Sequence, residues 1–219
     1  MPSVDKSAQT RSIRRVAVLG AGTMGARIAA HLANAGVPCF LLDMVPLPKA
    51  GESPASTPEE RNKLAAAGLE AAKKSKPAAF CETSLSRLIT IGNFDDDLKR
   101  VAEADWIIEA VAENLEIKRA LLKKVEAARR PGSIVTTNTS GLPVAKIAEG
   151  FSEDFRRHWF GTHFFNPPRY MRLLEIIPTP ESDPAALAAV SHFADVLLGK
   201  GIVVARDTPN FIEIGRAHV

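Results

Sequence analysis

Along the chain, short wholly apolar runs alternate with longer stretches whose apolar residues recur every three or four positions. That rhythm predicts buried strands separated by amphipathic helices. Val16-Ala17-Val18-Leu19 is the first such run. Gly20-Ala21-Gly22-Thr23-Met24-Gly25 follows at once, and a helical spacing then places Met24, Ile28, Leu32 and Ala35 on one face, with Gly36 as the stop. A second run, Cys39-Phe40-Leu41-Leu42, ends at Asp43. Strand, glycine-rich turn, helix and strand make one βαβ unit.

The alternation continues after a proline-rich connection over 45–58 and a helix rich in Ala and Lys over 59–76. Strands are expected over 88–91, 106–111, 134–137, 158–165, 173–177 and 202–205. Helices are expected over 95–102, 117–128, 142–148 and 184–198, with Pro131-Gly132 stopping the second of these. Strands that are apolar at nearly every position are covered on both faces, so the pattern implies an α/β fold with a mostly parallel sheet. No internal repeat is visible.

Composition narrows the picture. The 219 residues fit one large domain, or one domain and a fragment, and can bury a full core. Two cysteines, Cys39 and Cys81, supply neither a disulfide framework nor a four-ligand zinc site, so no metal is expected and a reducing, cytoplasmic setting is. No apolar run approaches the roughly 18 residues of a membrane span. A net charge of +3, from 28 basic and 25 acidic residues, gives no reason to expect a nucleic-acid partner. Residues 1–13 read as a polar, disordered tail; Asp5 and the lack of an amphipathic stretch argue against a transit peptide.

The glycine turn is the first chemical signal. GxGxxG alone is weak, but this one leaves a strand and opens a helix, and an acid, Asp43, ends the next strand about 20 residues on. Gly20 permits the tight turn, Gly22 lets the backbone approach a pyrophosphate, and Gly25 lets the helix pack against the strand. The helix N-terminus offers unpaired N–H groups and partial positive charge to phosphates. Asp43 would accept hydrogen bonds from both ribose hydroxyls and repel a 2′-phosphate, which favours NAD over NADP. The sheet is therefore expected to be of the doubly wound Rossmann type. A purely structural glycine turn is the weaker alternative.

The second signal lies downstream. His163 sits near the end of one apolar run and Glu175 inside another, Leu173-Leu174-Glu175-Ile176-Ile177. A carboxylate there is costly unless paired. If the two strands are neighbours, Glu175 can fix the imidazole tautomer and stabilise its charged form, giving an acid–base unit for a hydroxyl proton. From the residues alone, a core histidine with a satisfied hydrogen bond is an equal reading.

Six segments in order, GAGTMG (20–25), EAVAENLEIK (109–118), NTSGLP (138–143), GTHFFNPP (161–168), LLEIIPT (173–179) and DTPNFI (207–212), make residues 16–212 resemble the NAD-binding domain of the 3-hydroxyacyl-CoA dehydrogenase family, in the version found in multifunctional fatty-acid oxidation proteins. The resemblance implies NAD as cofactor and an L-3-hydroxyacyl-CoA as substrate, oxidised to the 3-oxoacyl-CoA. It implies that His163 takes the hydroxyl proton, with Glu175 as its carboxylate partner. Ser140 matches a serine that touches the substrate oxygen and the nicotinamide end; alternatively it caps the short helix at Leu142. Glu113 and Lys118 match residues around the nicotinamide ribose, although by position they also read as an exposed helix start. Met24, Val111 and Asn166 match further residues lining the cofactor. Lys73, Lys74 and Lys76 could meet CoA phosphates, or simply favour a helix C-terminus, and are not assigned.

The chain departs from the family after Ile212. The resemblance implies a hinge over 207–212 into a helical C-terminal domain, but the sequence reads Glu213-Ile214-Gly215-Arg216-Ala217-His218-Val219. The string IGRAHV is what a common sequencing-adapter segment encodes, so 213–219 is expected to be a non-native tail and the helical domain to be missing. The whole enzyme is expected to be a homodimer or part of a multienzyme protein, and the 14–206 domain by itself a monomer. An NAD-binding module without turnover, and a small β-hydroxy-acid dehydrogenase, are the competing functions. The latter usually relies on a lysine base in a later helix, which disfavours it.

Overall fold

The computed structural model describes residues 12–48, 50–51 and 53–208. The expectations for 1–11, for the hinge beyond 208 and for the 213–219 tail lie outside them. Among the described residues eight strands form one sheet: β1 (Val16–Leu19), β2 (Cys39–Asp43), β3 (Ile89–Asn93), β4 (Trp106–Glu109), β5 (Ile134–Thr137), β6 (Trp159–Phe164), β7 (Leu173–Pro178) and β8 (Gly201–Val204). Their order is β3-β2-β1-β4-β5-β6-β7-β8. Neighbours from β3 to β6 run parallel, β7 is antiparallel to β6, and β8 is parallel to β7.

Among the described residues seven α-helices accompany the sheet: α1 (Thr23–Asn34), α2 (Pro58–Arg61), α3 (Lys63–Lys73), α4 (Leu115–Ala128), α5 (Val144–Ile147), α6 (Glu153–Arg157) and α7 (Pro184–Val196). The period-two geometry of a strand divides the central runs between two cores. Val16, Val18, Leu41, Trp106 and Ile108 face a cluster with Ile28 and Leu32 of α1 and Val190 and Phe193 of α7. Ala17, Leu19, Leu42, Ile107 and Val135 face the other, with Leu121, Leu122 and Val125 of α4. Covering both faces is why these strands are apolar throughout. Ile13, inside the stretch read as tail, belongs to the first core. Trp106 and Trp159 are packing residues whose ring N–H groups donate to Thr136 Oγ1 and the Val144 carbonyl, both at 2.9 Å.

Several boundaries differ from the sequence pattern. The single helix expected over 59–76 is two, broken at Asn62. Thr57 and Glu60 close a capping box at the start of α2, and the Asn62 side chain accepts from Asn93 Nδ2 at 2.7 Å, tying the break to the end of β3. The helix expected over 95–102 is a 3-10 turn, Leu98–Glu103, and a second one, Thr83–Leu88, precedes β3. The short α6, capped by Ser152, has no counterpart in the expected elements. The strand expected to reach Val111 ends at Glu109, where the chain turns outward over the glycine turn.

Candidate active site

The site occupies the carboxyl ends of the parallel strands, where an open α/β sheet leaves a crevice. At the end of β1 the backbone of Gly20 adopts φ +102°, and a Cβ there would lie 2.6 Å from the Ala110 carbonyl oxygen. A Cβ on Gly25 would lie 1.8 Å from the Gly20 carbonyl oxygen, so α1 approaches β1 closely only because residue 25 is glycine. At Gly22, by contrast, nothing lies within 4 Å of a built Cβ, and no side chain caps the start of α1. The turn thus opens outward onto uncapped helix N–H groups, the arrangement that receives a phosphate. Asp43 is fixed beside it: Oδ2 accepts from Ala21 N and Oδ1 from Met44 N, both at 2.6 Å.

Of three hollows that border this turn, two share its Gly22 with the segment after β4. One, of about 580 Å³, is lined by Gly20, Gly22, Asp43, Phe94 and Val111. The other, of about 550 Å³, is lined by Gly22, Met24, Val111, Glu113, Ser140, His163 and Asn166. Both include Gly22, Ala110, Val111 and Ala112. The residues fit an extended dinucleotide, with the Asp43 carboxylate at one end, the open glycine turn at the middle and the His163 hollow at the other.

His163 and Glu175 are directly opposite each other in the β6–β7 register. His163 Nδ1 donates to Glu175 Oε2 at 2.7 Å, and Glu175 is fully buried. With Glu175 ionised, the carboxylate only accepts and the imidazole hydrogen lies on Nδ1. The Phe165 ring lies 4.7 Å from the imidazole. The structure joins the two residues that sequence spacing alone left uncertain.

Beneath the hollow runs a buried polar chain. Glu109, at the end of β4, accepts from Lys118 Nζ at 2.8 and 3.0 Å, from Val111 N at 2.8 Å and from Thr137 Oγ1 at 2.6 Å. Lys118 is 1% exposed and also pairs with Glu113 at 3.3 Å. Glu113 in turn accepts from the Thr139 hydroxyl, from Ser140 N at 3.1 Å and from Gly141 N at 3.0 Å. Partial burial works against its charge, but the Thr139 hydroxyl, the Gly141 amide and Lys118 outweigh it and hold Glu113 below the usual glutamate range.

Two position-based readings are corrected here. Lys118 does not lie on an exposed helix start: its stem crosses into the core to reach a carboxylate at a strand end. Ser140 does not cap the short helix; Pro143 occupies the cap position of α5, and the first N–H groups, of Val144 and Ala145, are taken by Asp207 at 2.7 and 2.8 Å.

Three residues at the site were not singled out by sequence. Asn138 Oδ1 accepts from Phe164 N at 2.9 Å and so ties the Ser140 loop to the end of β6. Arg27 Nη1 donates to Asn166 Oδ1 at 2.6 Å across from α1. Asp207 holds α5 from the chain's exit. Asn138 opens the NTSGLP segment and Asp207 the DTPNFI segment, so both could have been found there; Arg27 carries no local signal, because its partner Asn166 is distant in sequence.

Comparison with known proteins agrees with this geometry. The family model described as "3-hydroxyacyl-CoA dehydrogenase, NAD binding domain" matches residues 15–208. The chain is 50% identical over 207 residues to a protein of Bacillus subtilis named "Probable 3-hydroxyacyl-CoA dehydrogenase", covering 92% of this chain and 26% of that one. It is 50% identical over 200 residues to a protein of the same name from Deinococcus radiodurans, covering 91% and 55%. The chain therefore spans about a quarter and about half of these relatives. Among solved structures, a 3-hydroxybutyryl-CoA dehydrogenase from Escherichia coli superposes with a TM-score of 0.71 at 29% identity, over 92% of this chain and 40% of that one. With its Rossmann-type doubly wound sheet, glycine turn and facing His163 and Glu175, the chain belongs to the 3-hydroxyacyl-CoA dehydrogenase family and carries its NAD-binding domain.

Proposed function

We propose that this domain is the cofactor-binding and proton-transferring half of an enzyme that oxidises L-3-hydroxyacyl-CoA to 3-oxoacyl-CoA in cytoplasmic fatty-acid β-oxidation. The observation that carries this is the His163–Glu175 bond on the wall of the hollow that also holds Ser140 and Asn166. When bound, NAD supplies the acceptor for the hydride that leaves C3 of the substrate. His163 takes the 3-hydroxyl proton at Nε2, and Glu175, accepting from Nδ1, stabilises the imidazolium that results. Ser140 orients the substrate oxygen. Gly20, Gly22 and Gly25 shape the diphosphate turn, Asp43 takes the adenosine ribose hydroxyls, and Met24, Val111, Glu113, Lys118 and Asn166 line or brace the nicotinamide end.

Because the chain spans only part of its relatives, turnover is proposed for the domain joined to the remainder of such a protein, as a homodimer or within a multienzyme chain. The domain alone is proposed to bind NAD with little turnover. The test is NADH oxidation with acetoacetyl-CoA, by this chain and by a fusion to the remainder of the Deinococcus radiodurans relative. The fusion is expected to be active and to lose activity in His163→Ala. A fusion that keeps full activity without His163 overturns the assignment of the base.

A further inference from the structure

We propose that Lys200 is a positioning residue for the nicotinamide end of the cofactor, its buried ammonium fixing the 165–172 segment that carries Asn166 into the His163 hollow. This rests on the cofactor reading given above. Lys200 follows α7 and is 3% exposed, a rare place for a lysine unless its ammonium is satisfied. Its Nζ donates to the carbonyl oxygens of Pro168 and Met171, the latter at 2.8 Å, and lies 5.6 Å from the centroid of the Phe164 ring. Two converging carbonyls need a compact group with several donors, which an ammonium provides and an aliphatic side chain does not. Burial lowers the lysine to about 8, so the fold keeps the group there at a cost.

The segment it holds has other fastenings. Pro167 O accepts from Tyr170 N and Met171 N, both at 3.0 Å. Arg169 Nη1 donates to the Ala78 and Phe80 carbonyls at 2.9 Å, and the Tyr170 hydroxyl donates to Ala78 O at 3.1 Å. These seat the turn on the connection after α3. From beneath it is gripped by Lys200 and, at its far end, by Gly201 N, which donates to Arg172 O at 2.8 Å, across from the Arg27–Asn166 bond. Phe165 and Asn166 line the hollow with His163 and Ser140, whereas the hollow with Asp43 includes no residue of this segment. Loosening the segment should therefore weaken recognition of the nicotinamide half and leave the ADP-ribose half alone.

That asymmetry is the test. NADH and ADP-ribose are titrated calorimetrically into the wild-type chain, Lys200→Met and Lys200→Gln. Lys200→Met is expected to weaken NADH about tenfold, the worth of one charge-assisted hydrogen bond, with ADP-ribose unchanged to within about twofold; Lys200→Gln, which keeps a donor, should fall between. Equal losses of both ligands, as a merely destabilised fold would give, or no loss of NADH, overturn the proposal. Hydrogen exchange on the wild-type chain gives a reading independent of folding in the variants. NADH is expected to slow exchange over 165–172 and ADP-ribose not to, and equal protection by both or by neither counts against Lys200. A wild-type chain that binds neither ligand overturns the cofactor reading itself, and this inference with it.

Discussion

His163 and Glu175 face each other across the one antiparallel junction of the described sheet, imidazole Nδ1 2.7 Å from a carboxylate oxygen with no solvent exposure. On the proposed mechanism the two act as one unit, so their removal should not be additive. In the active fusion, His163→Gln and Glu175→Gln are each expected to lower kcat by about 10²-fold or more. The double variant should be little worse than His163→Gln alone. Steady-state kinetics with acetoacetyl-CoA measures all three, and multiplying losses would show that the pair does not work together.

A second prediction concerns pH. His31 of α1 is buried, its ring beside the Leu198 backbone, which favours the charged form only in small part. Burial above all, then the nearby Lys200 and Arg169 charges, lower it to about 4 from the ordinary 6.5. The folded chain thus keeps the ring neutral to about pH 4, while the unfolded chain protonates it below about 6.5. Stability from this site is complete above pH 6.5 and is lost as pH falls towards 4. His31→Leu should remove that loss, gaining about 2 kcal/mol on wild type between pH 7 and pH 4.5. Urea melts of both chains at the two pH values check it, and parallel pH dependence would refute it.

What the sequence could reveal follows from what each feature depends on. The strands and the glycine turn were legible because they rest on local pattern: runs such as Val16–Leu19 and Ile134–Thr137 are buried at every position. The direction of β7 was not read, since an apolar run has the same pattern either way. Its clue is the short 165–172 connection, less than the dozen or so residues a parallel crossover needs. The break at Asn62 and the burial of Lys118 depend on Asn93 and Glu109, partners brought close only by the fold. Short α6 offers little apolar periodicity, with Phe155 its one buried residue.

Asp43 should set the choice of nicotinamide cofactor. Its two oxygens already accept from Ala21 N and Met44 N, which holds the negative charge beside the glycine turn and against a 2′-phosphate. Wild type is expected to bind NADH at least about 100-fold tighter than NADPH, some 3 kcal/mol. Asp43→Asn retains one acceptor for the Ala21 amide and removes the charge, so the ratio should fall about tenfold or more, chiefly through tighter NADPH binding. Fluorescence titration of both cofactors measures the ratio; an unchanged ratio would remove Asp43 from the specificity.

The Glu109–Lys118 pair gives the last prediction, because it separates bracing from binding. Lys118→Met leaves the Glu109 carboxylate buried with only Val111 N and Thr137 Oγ1 as donors, and breaking a buried pair in this way costs about 3–5 kcal/mol. For a domain of this size, that lowers Tm by on the order of 10 °C. Replacing both partners, Glu109→Leu with Lys118→Met, leaves no unpaired charge and should recover most of the loss. Neither change restores the link from Lys118 to Glu113, and Glu113 is what holds the amides of Ser140 and Gly141. The double variant is therefore expected to melt near wild type and still bind NADH more weakly. Thermal melts alongside NADH titrations decide it: a stable double variant with wild-type NADH affinity would mean that the pair serves the fold alone.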